Sequence, residues 1–190
     1  LPHFLDEEPA GGEQRIFFGG INVYLQHKFS LFRKTPAWVD KAFDSKWLLK
    51  KAAARSGMTS SKDLGEITLS TFRGEDGPLV KEVNKVVDWF KKQGTPDVIL
   101  LSTIMLAGIG KALRRELKVP VLGFLQGEDS FLDSLLPEYR NEAWNLLAQD
   151  VARLDGCIAP SRYFGKLMAK RLKISEDSVR HHPNGITLDG

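Results

Sequence analysis

The chain has 190 residues, 42% of them hydrophobic and 27% charged, with 17 glycines, 9 prolines and a single cysteine, a balance that excludes a disordered or fibrous protein. Cys157 alone cannot form an intrachain disulfide, which points to a reducing compartment, and a chain of this length buries enough surface to fold without one. The net charge of +3 conceals two basic segments, residues 33–55 with seven basic and two acidic side chains and residues 161–173 with five basic and no acidic ones, so local basic surface matters more than the total.

Residues 1–14 lack the basic start and apolar core of a signal peptide. Residues 15–27 then alternate apolar and polar side chains through Ile21, Val23 and Leu25, the period of a half-buried strand. Gly19-Gly20 joins two strand-like runs, so a hairpin or bulge is favoured over a phosphate-cradling loop, which needs a helix directly after its glycines. Thr35-Pro36 opens a helix to about residue 55, with Gly57 as its stop. Trp38, Val39, Ala42, Phe43, Leu49 and Ala53 share one side of it, interrupted by Lys46 and Lys50. Residues 66–72 read as another alternating strand, and Gly77-Pro78 as the opening of a helix through Val80, Val83, Val87 and Phe90 that ends at Gly94-Thr95-Pro96.

Beyond this point short apolar runs at residues 97–101, 119–125 and 154–159 are each followed by a helix-length segment. Leu106, Ile109, Leu113 and Leu117 face inward from the first such helix, and Ala143, Leu146, Leu147 and Val151 from one that follows Pro137. Residues 161–172 predict a further helix and residues 178–182 a last short strand. Nearly continuous hydrophobic strands alternating with helices imply an α/β, Rossmann-like three-layer sandwich with a mostly parallel sheet and helices above and below it. No repeat or flexible linker divides the chain, so a single domain is expected. The longest mostly apolar stretch, residues 98–110, falls short of the roughly 18–20 residues of a membrane span.

In such a sheet ligands bind beyond the carboxyl ends of the strands. That rule selects Ser102 and Thr103, the run Gln126, Gly127, Glu128 and Asp129, the loop containing Pro160, Ser161, Arg162 and Tyr163, and Asn184-Gly185 at the end of the last strand. An amide and two carboxylates beside a glycine suit hydroxyl-rich molecules such as sugars. Glu128 or Asp129 serves equally well as a cap for the helix containing Phe131 and Leu132, and the two readings remain open. Ser161 reads first as an N-cap, and Arg162 as a solvated charge before a phosphate contact. His181 and His182, adjacent on a strand, point to opposite faces and make a poor metal pair. Cys157 lies inside an apolar strand and reads as a core residue.

Five segments in this order resemble the N-terminal domain of retaining GT-B glycosyltransferases, the glycosyl transferase group 1 superfamily of glycogen and starch synthases and many bacterial sugar transferases. They are Gly20-Ile21-Asn22-Val23-Tyr24-Leu25 continuing to Leu31-Phe32-Arg33, Pro96 to Leu101, Val119 to Gln126-Gly127, Asp155 to Ser161, and Val179 to Pro183-Asn184-Gly185-Ile186. The resemblance implies a histidine where Gln126 stands; glutamine exchanges hydrogen bonds with a hydroxyl but does not titrate near neutral pH.

The resemblance further implies a cytoplasmic enzyme that moves a sugar from a nucleotide-diphosphate sugar to a sugar or lipid acceptor with retention, using no cofactor or metal. Residues 1–190 then form the acceptor-side lobe, with a first βα unit expected upstream and a donor-binding domain downstream, so this fragment carries no catalytic residue and is inactive alone. Gln126, Gly127, Glu128 and Asp129 are expected near the transferred sugar or acceptor, and Ser102, Thr103, Ser161, Arg162 and Asn184 around the cleft. A non-catalytic sugar- or nucleotide-binding module and a sugar-nucleotide epimerase lobe are the rival readings. The basic segments 33–55 and 161–173 allow peripheral contact with the inner membrane face. Nucleic acid is not an expected partner, since no recognition motif accompanies the charge.

Overall fold

The computed structural model describes residues 60–185. The expected strand at 15–27 with its Gly19-Gly20 turn, the helix of residues 35–55 with its Gly57 stop, and the basic segment 33–55 lie outside the described residues.

Helix α1 (Ser61–Phe72) replaces the strand expected at residues 66–72. Its start signal precedes the misleading alternation: the Ser60 hydroxyl accepts from the Asp63 backbone N–H at 3.1 Å and donates to the Asp63 carboxylate at 2.8 Å, a reciprocal N-terminal cap. The hydroxyls of Thr68, Ser70 and Thr71, which gave the segment its strand-like texture, donate instead to the carbonyls one turn back, at 2.8, 2.9 and 2.9 Å. This satisfies them inside the helix.

Helix α2 (Val80–Gln93) ends at Gly94, as its spacing predicts. Strand β1 (Ile99–Leu101) leads through a 3-10 segment, Ile104–Ile109, into α3 (Gly110–Leu117). The single helix expected there is thus a tighter turn followed by a short α-helix. After β2 (Val121–Phe124) come α4 (Glu128–Ser134) and α5 (Pro137–Val151), the latter opened by Pro137 in its first turn. Strand β3 (Gly156–Ala159), α6 (Arg162–Leu172) and β4 (Val179–His181) complete the described chain.

The four strands pair in parallel in the order β1-β2-β3-β4, with Leu101 opposite Gly123, Phe124 opposite Ile158 and Ala159 opposite His181. Strand–helix–strand crossovers are right-handed, so a sheet that grows steadily in one direction receives all its connecting helices on one face. The packing agrees. Ile99, Leu101 and Val121 meet Val83, Val86 and Val87 of α2 and Ala112 and Leu113 of α3 in one buried cluster, while Cys157 and Ala159 meet Ala143 and Leu147 of α5 and Met168 and Leu172 of α6 in a second. Each fully buried leucine of these clusters contributes about 1.5–3 kcal/mol. Leu100, Leu122, Phe124 and Ile158 alternate onto the opposite face; Leu100 is 46% exposed, and none of the four belongs to either cluster. The architecture is α/β and Rossmann-like, and among the described residues the helices occupy one of the two sheet faces.

Arg171 pins α6 to α4 and α5. Its guanidinium donates to both carboxylate oxygens of Asp133, at 2.6 and 2.7 Å, and lies 4.1 Å from the centre of the Trp144 ring, whose N–H also donates to Asp133. The hydrogen bond from Arg171 holds the Asp133 carboxyl below the usual carboxylate range. Only a planar fork both chelates and stacks in this way. Arg171→Lys is therefore expected to lower stability by about 1 kcal/mol, discounted for partial solvent exposure, read as a shift of the urea midpoint with an unchanged slope.

Candidate functional site

Because all four strands are parallel, the loops at Ser102-Thr103, residues 126–129, residues 160–163 and residues 182–185 leave the sheet at one edge. Gln126 and Ser161 follow neighbouring strands there, held in step by the Leu125 N–H donating to the Ile158 carbonyl at 2.9 Å. Beside them, the His182 N–H donates to the Ala159 carbonyl at 2.9 Å and keeps the last loop on the same edge.

Glu128 ties the first two loops together. It is buried, with 5% of its surface exposed, and both of its oxygens are engaged: one accepts from the Thr103 hydroxyl at 2.6 Å, the other from the Gln126 backbone N–H at 2.7 Å. Thr103 in turn accepts from the Met105 N–H at 3.2 Å and caps the 3-10 segment. Glu128 is thus an internal clamp at the first residue of α4, each of its oxygens accepting one hydrogen bond from the lobe itself. Gly127 adopts φ 90°, the left-handed region that side chains avoid, and a Cβ there would meet nothing within 4 Å. The glycine is required by the turn, not by crowding. With the backbone held in this way, the Gln126 side chain is exposed at the edge, and Asp129 is half-buried beside it.

On the other side of the edge, Ser161 caps α6 by accepting from the Phe164 N–H at 3.1 Å, the role its position predicts. A cleft of about 390 Å³ opens next to it, bounded by Ser161, Arg162, Tyr163, Lys166, Glu176 and His181. The structure brings Ser161 and Arg162 together in this cleft and leaves Ser102, Thr103, Asn184 and residues 126–129 outside its walls. Ser102 and Asn184 are exposed at the same sheet edge.

Lys166 and His181 are cleft residues that the strand-end rule does not select. Two signals point to them: Lys166 lies four residues beyond Arg162, one helical turn along the same face, and a right-handed crossover sets β4 beside β3.

Cys157 is buried between β2 and β4. Burial, helped by the negative charge of Glu128, pushes its thiol up to about 11, so it stays protonated near neutral pH and is a poor nucleophile. Among the described residues no group of three or more His, Cys, Asp or Glu side chains has the placement of a metal site, and no helix is long and apolar enough to cross a membrane.

Set against known families, residues 67–189 match the family model of Glycosyltransferase Family 4. The chain belongs to Glycosyltransferase Family 4. The matched region begins inside α1 and takes in every described strand and all four loops of the site edge, so the clamp at Glu128 and the basic cleft both lie within a glycosyltransferase domain. No curated protein and no solved structure matches the chain.

Proposed function

We propose that this chain is the acceptor-side lobe of a GT-B glycosyltransferase that transfers a hexose from a nucleotide-diphosphate sugar to a sugar or lipid acceptor with retention at the anomeric carbon. One observation carries the reading: the family match spans the parallel sheet whose chemistry-bearing loops leave at a single edge, the place where an α/β lobe meets its ligand. The nucleotide sugar acts as donor substrate and is held by a companion domain across that edge, so the lobe alone is catalytically silent. Gln126 donates to and accepts from hydroxyls of the transferred sugar, Gly127 permits close approach, and Asp129 accepts from the acceptor. Glu128 serves as a positioning residue through the Gln126 backbone.

The test is Gln126→Ala in the intact parent enzyme. Loss of one hydroxyl contact made in the transition state lowers kcat/KM by about tenfold or more, with unchanged thermal stability, because the side chain is exposed and the backbone clamp remains. Unchanged turnover overturns the assignment, and an inverted anomeric centre in the product, read by proton NMR, overturns the retaining mechanism.

A second reading concerns location. Arg162, Lys166, Lys170 and Lys173 are all exposed and spaced by four, four and three residues along and just beyond α6, a continuous basic stripe. Such a stripe supports peripheral contact with an anionic leaflet, worth about 1 kcal/mol per residue at the surface.

A further inference from the structure

We infer that the cleft between α6 and β4 holds the phosphate group of a phosphorylated acceptor, gripped by Arg162, Lys166 and His181. This rests on the acceptor-side reading above and narrows it to a class of acceptor.

Arg73, Lys111, Arg114, Arg115, Arg153 and Arg171 are each neutralised by a carboxylate of the same lobe, at 2.6 to 3.1 Å. Arg162 and Lys166, like Lys118, Lys170, Lys173 and Arg180, form no ion pair with any described residue; what sets these two apart is that they lie on one face of α6, one turn apart, against the same cleft as His181. Two basic side chains and an imidazole therefore line one cleft from two elements, with Glu176 the one carboxylate on its wall. Gly165 makes this arrangement possible. A Cβ at that position would stand 3.2 Å from both Ala159 and Val179, so the glycine lets α6 settle onto β3 and β4 and brings its basic face to the strand that ends in His181.

The chemistry of the walls selects the ligand. A guanidinium fork chelates two phosphate oxygens, an ammonium adds a compact charge, and an imidazole N–H donates a further hydrogen bond. A doubly charged phosphate meets that excess of donors better than a carboxylate, which would bring a single charge against Glu176. The volume of about 390 Å³ falls in the range of small-molecule sites and exceeds what a bare phosphate fills, leaving room for the sugar or polyol that carries it. Tyr163, 77% exposed at the rim, offers a flat ring for the apolar face of that moiety.

The experiment reads binding without catalysis. Amide NMR spectra of this 190-residue chain are recorded during titration with inorganic phosphate, glucose 6-phosphate and glucose. The two phosphates are expected to shift the amides of Ser161 to Lys166 and His181, and glucose alone to leave them in place. Arg162→Ala/Lys166→Ala is expected to weaken binding of glucose 6-phosphate by about tenfold or more, whereas Lys170→Ala/Lys173→Ala, which removes the same charge outside the cleft walls, changes it by less than about twofold.

Sedimentation with vesicles of phosphatidylglycerol or of phosphatidylcholine identifies the source of the phosphate. Retention on the anionic vesicles that fails only in the cleft variant assigns it to a lipid headgroup, and shifts in solution without retention assign it to a soluble sugar phosphate; both support the site. Absence of cleft shifts together with absence of retention, or equal weakening by the two double variants, overturns it. Neither result touches the transferase reading, which rests on the family match and whose site assignment is tested separately at Gln126.

Discussion

Glu128→Ala is expected to lower the unfolding free energy of the chain by about 2–4 kcal/mol, since two hydrogen bonds to a buried carboxylate are lost and their donors are left behind. The donors are the Thr103 hydroxyl and the Gln126 backbone N–H, at 2.6 and 2.7 Å from the two oxygens. One belongs to the loop after β1 and the other to the loop after β2, so the carboxylate ties its own loop to a residue 25 positions earlier in the chain. Glu128→Gln keeps most of this. Its carbonyl accepts from Gln126, and its amide donates to Thr103, whose oxygen has lone pairs for both that amide and the Met105 N–H. The glutamine variant is therefore expected to lose about 1 kcal/mol, chiefly the charge assistance.

Chemical denaturation of the two variants, combined with Thr103→Val in a double-mutant cycle, measures the tie. A coupling of about 1–2 kcal/mol is expected between positions 103 and 128. A fully stable alanine variant would show that the loops hold their places without the carboxylate. In the parent enzyme, turnover is expected to follow the same order, alanine below glutamine below wild type, because the clamp acts on the Gln126 backbone.

How far the sequence reached is visible in the same residues. The strand-end rule finds all four loops because parallel order follows from apolar runs separated by helix-length segments, and the caps at Gly94, Pro137 and Ser161 are local signals that the structure obeys. Local texture misleads at residues 66–72, where alternating Ile67, Leu69 and Thr71 imitate a strand. Hydroxyls that bond back to their own helix leave no trace in such a pattern. The role of Glu128 was equally hidden. A carboxylate four residues beyond β2 fits a cap, a sugar contact or a clamp alike, and the clamp depends on Thr103, which only the β1–β2 pairing brings near. The cleft residues Lys166 and His181 meet for the same kind of reason, across the β3–β4 crossover.

Asp150 leads to the second large effect, a pH dependence of stability that runs opposite to the usual carboxylate behaviour. It lies buried on α5, with one oxygen accepting from Arg153 at 3.1 Å and the other, buried, without a hydrogen-bond partner among the described residues. Burial raises its carboxyl from 3.8 to about 6, and the nearby charge of Arg153 offsets this only in part. A carboxyl that is harder to ionise in the folded state costs nothing below about pH 4, where both states hold the proton. The cost grows as the pH rises from about 4 to 6, because the unfolded chain releases its proton first, and it levels off above that window. The shift corresponds to at most about 3 kcal/mol.

Asp150→Asn removes the titration while keeping an acceptor for Arg153. At pH 4 the variant is expected to be no more stable than wild type, or slightly less so because its amide gains donors without acceptors. At pH 7.5 it is expected to be more stable by about 1–3 kcal/mol, with the difference opening between pH 4 and 6. Denaturation across that range measures it, and a difference that stays constant with pH would mean that Asp150 ionises as freely in the folded chain as in the unfolded one. Because Asp150 is not among the residues that wall the α6 cleft, the gain is expected to leave the proposed phosphate binding there unaltered, which separates a stability effect from a site effect in one variant.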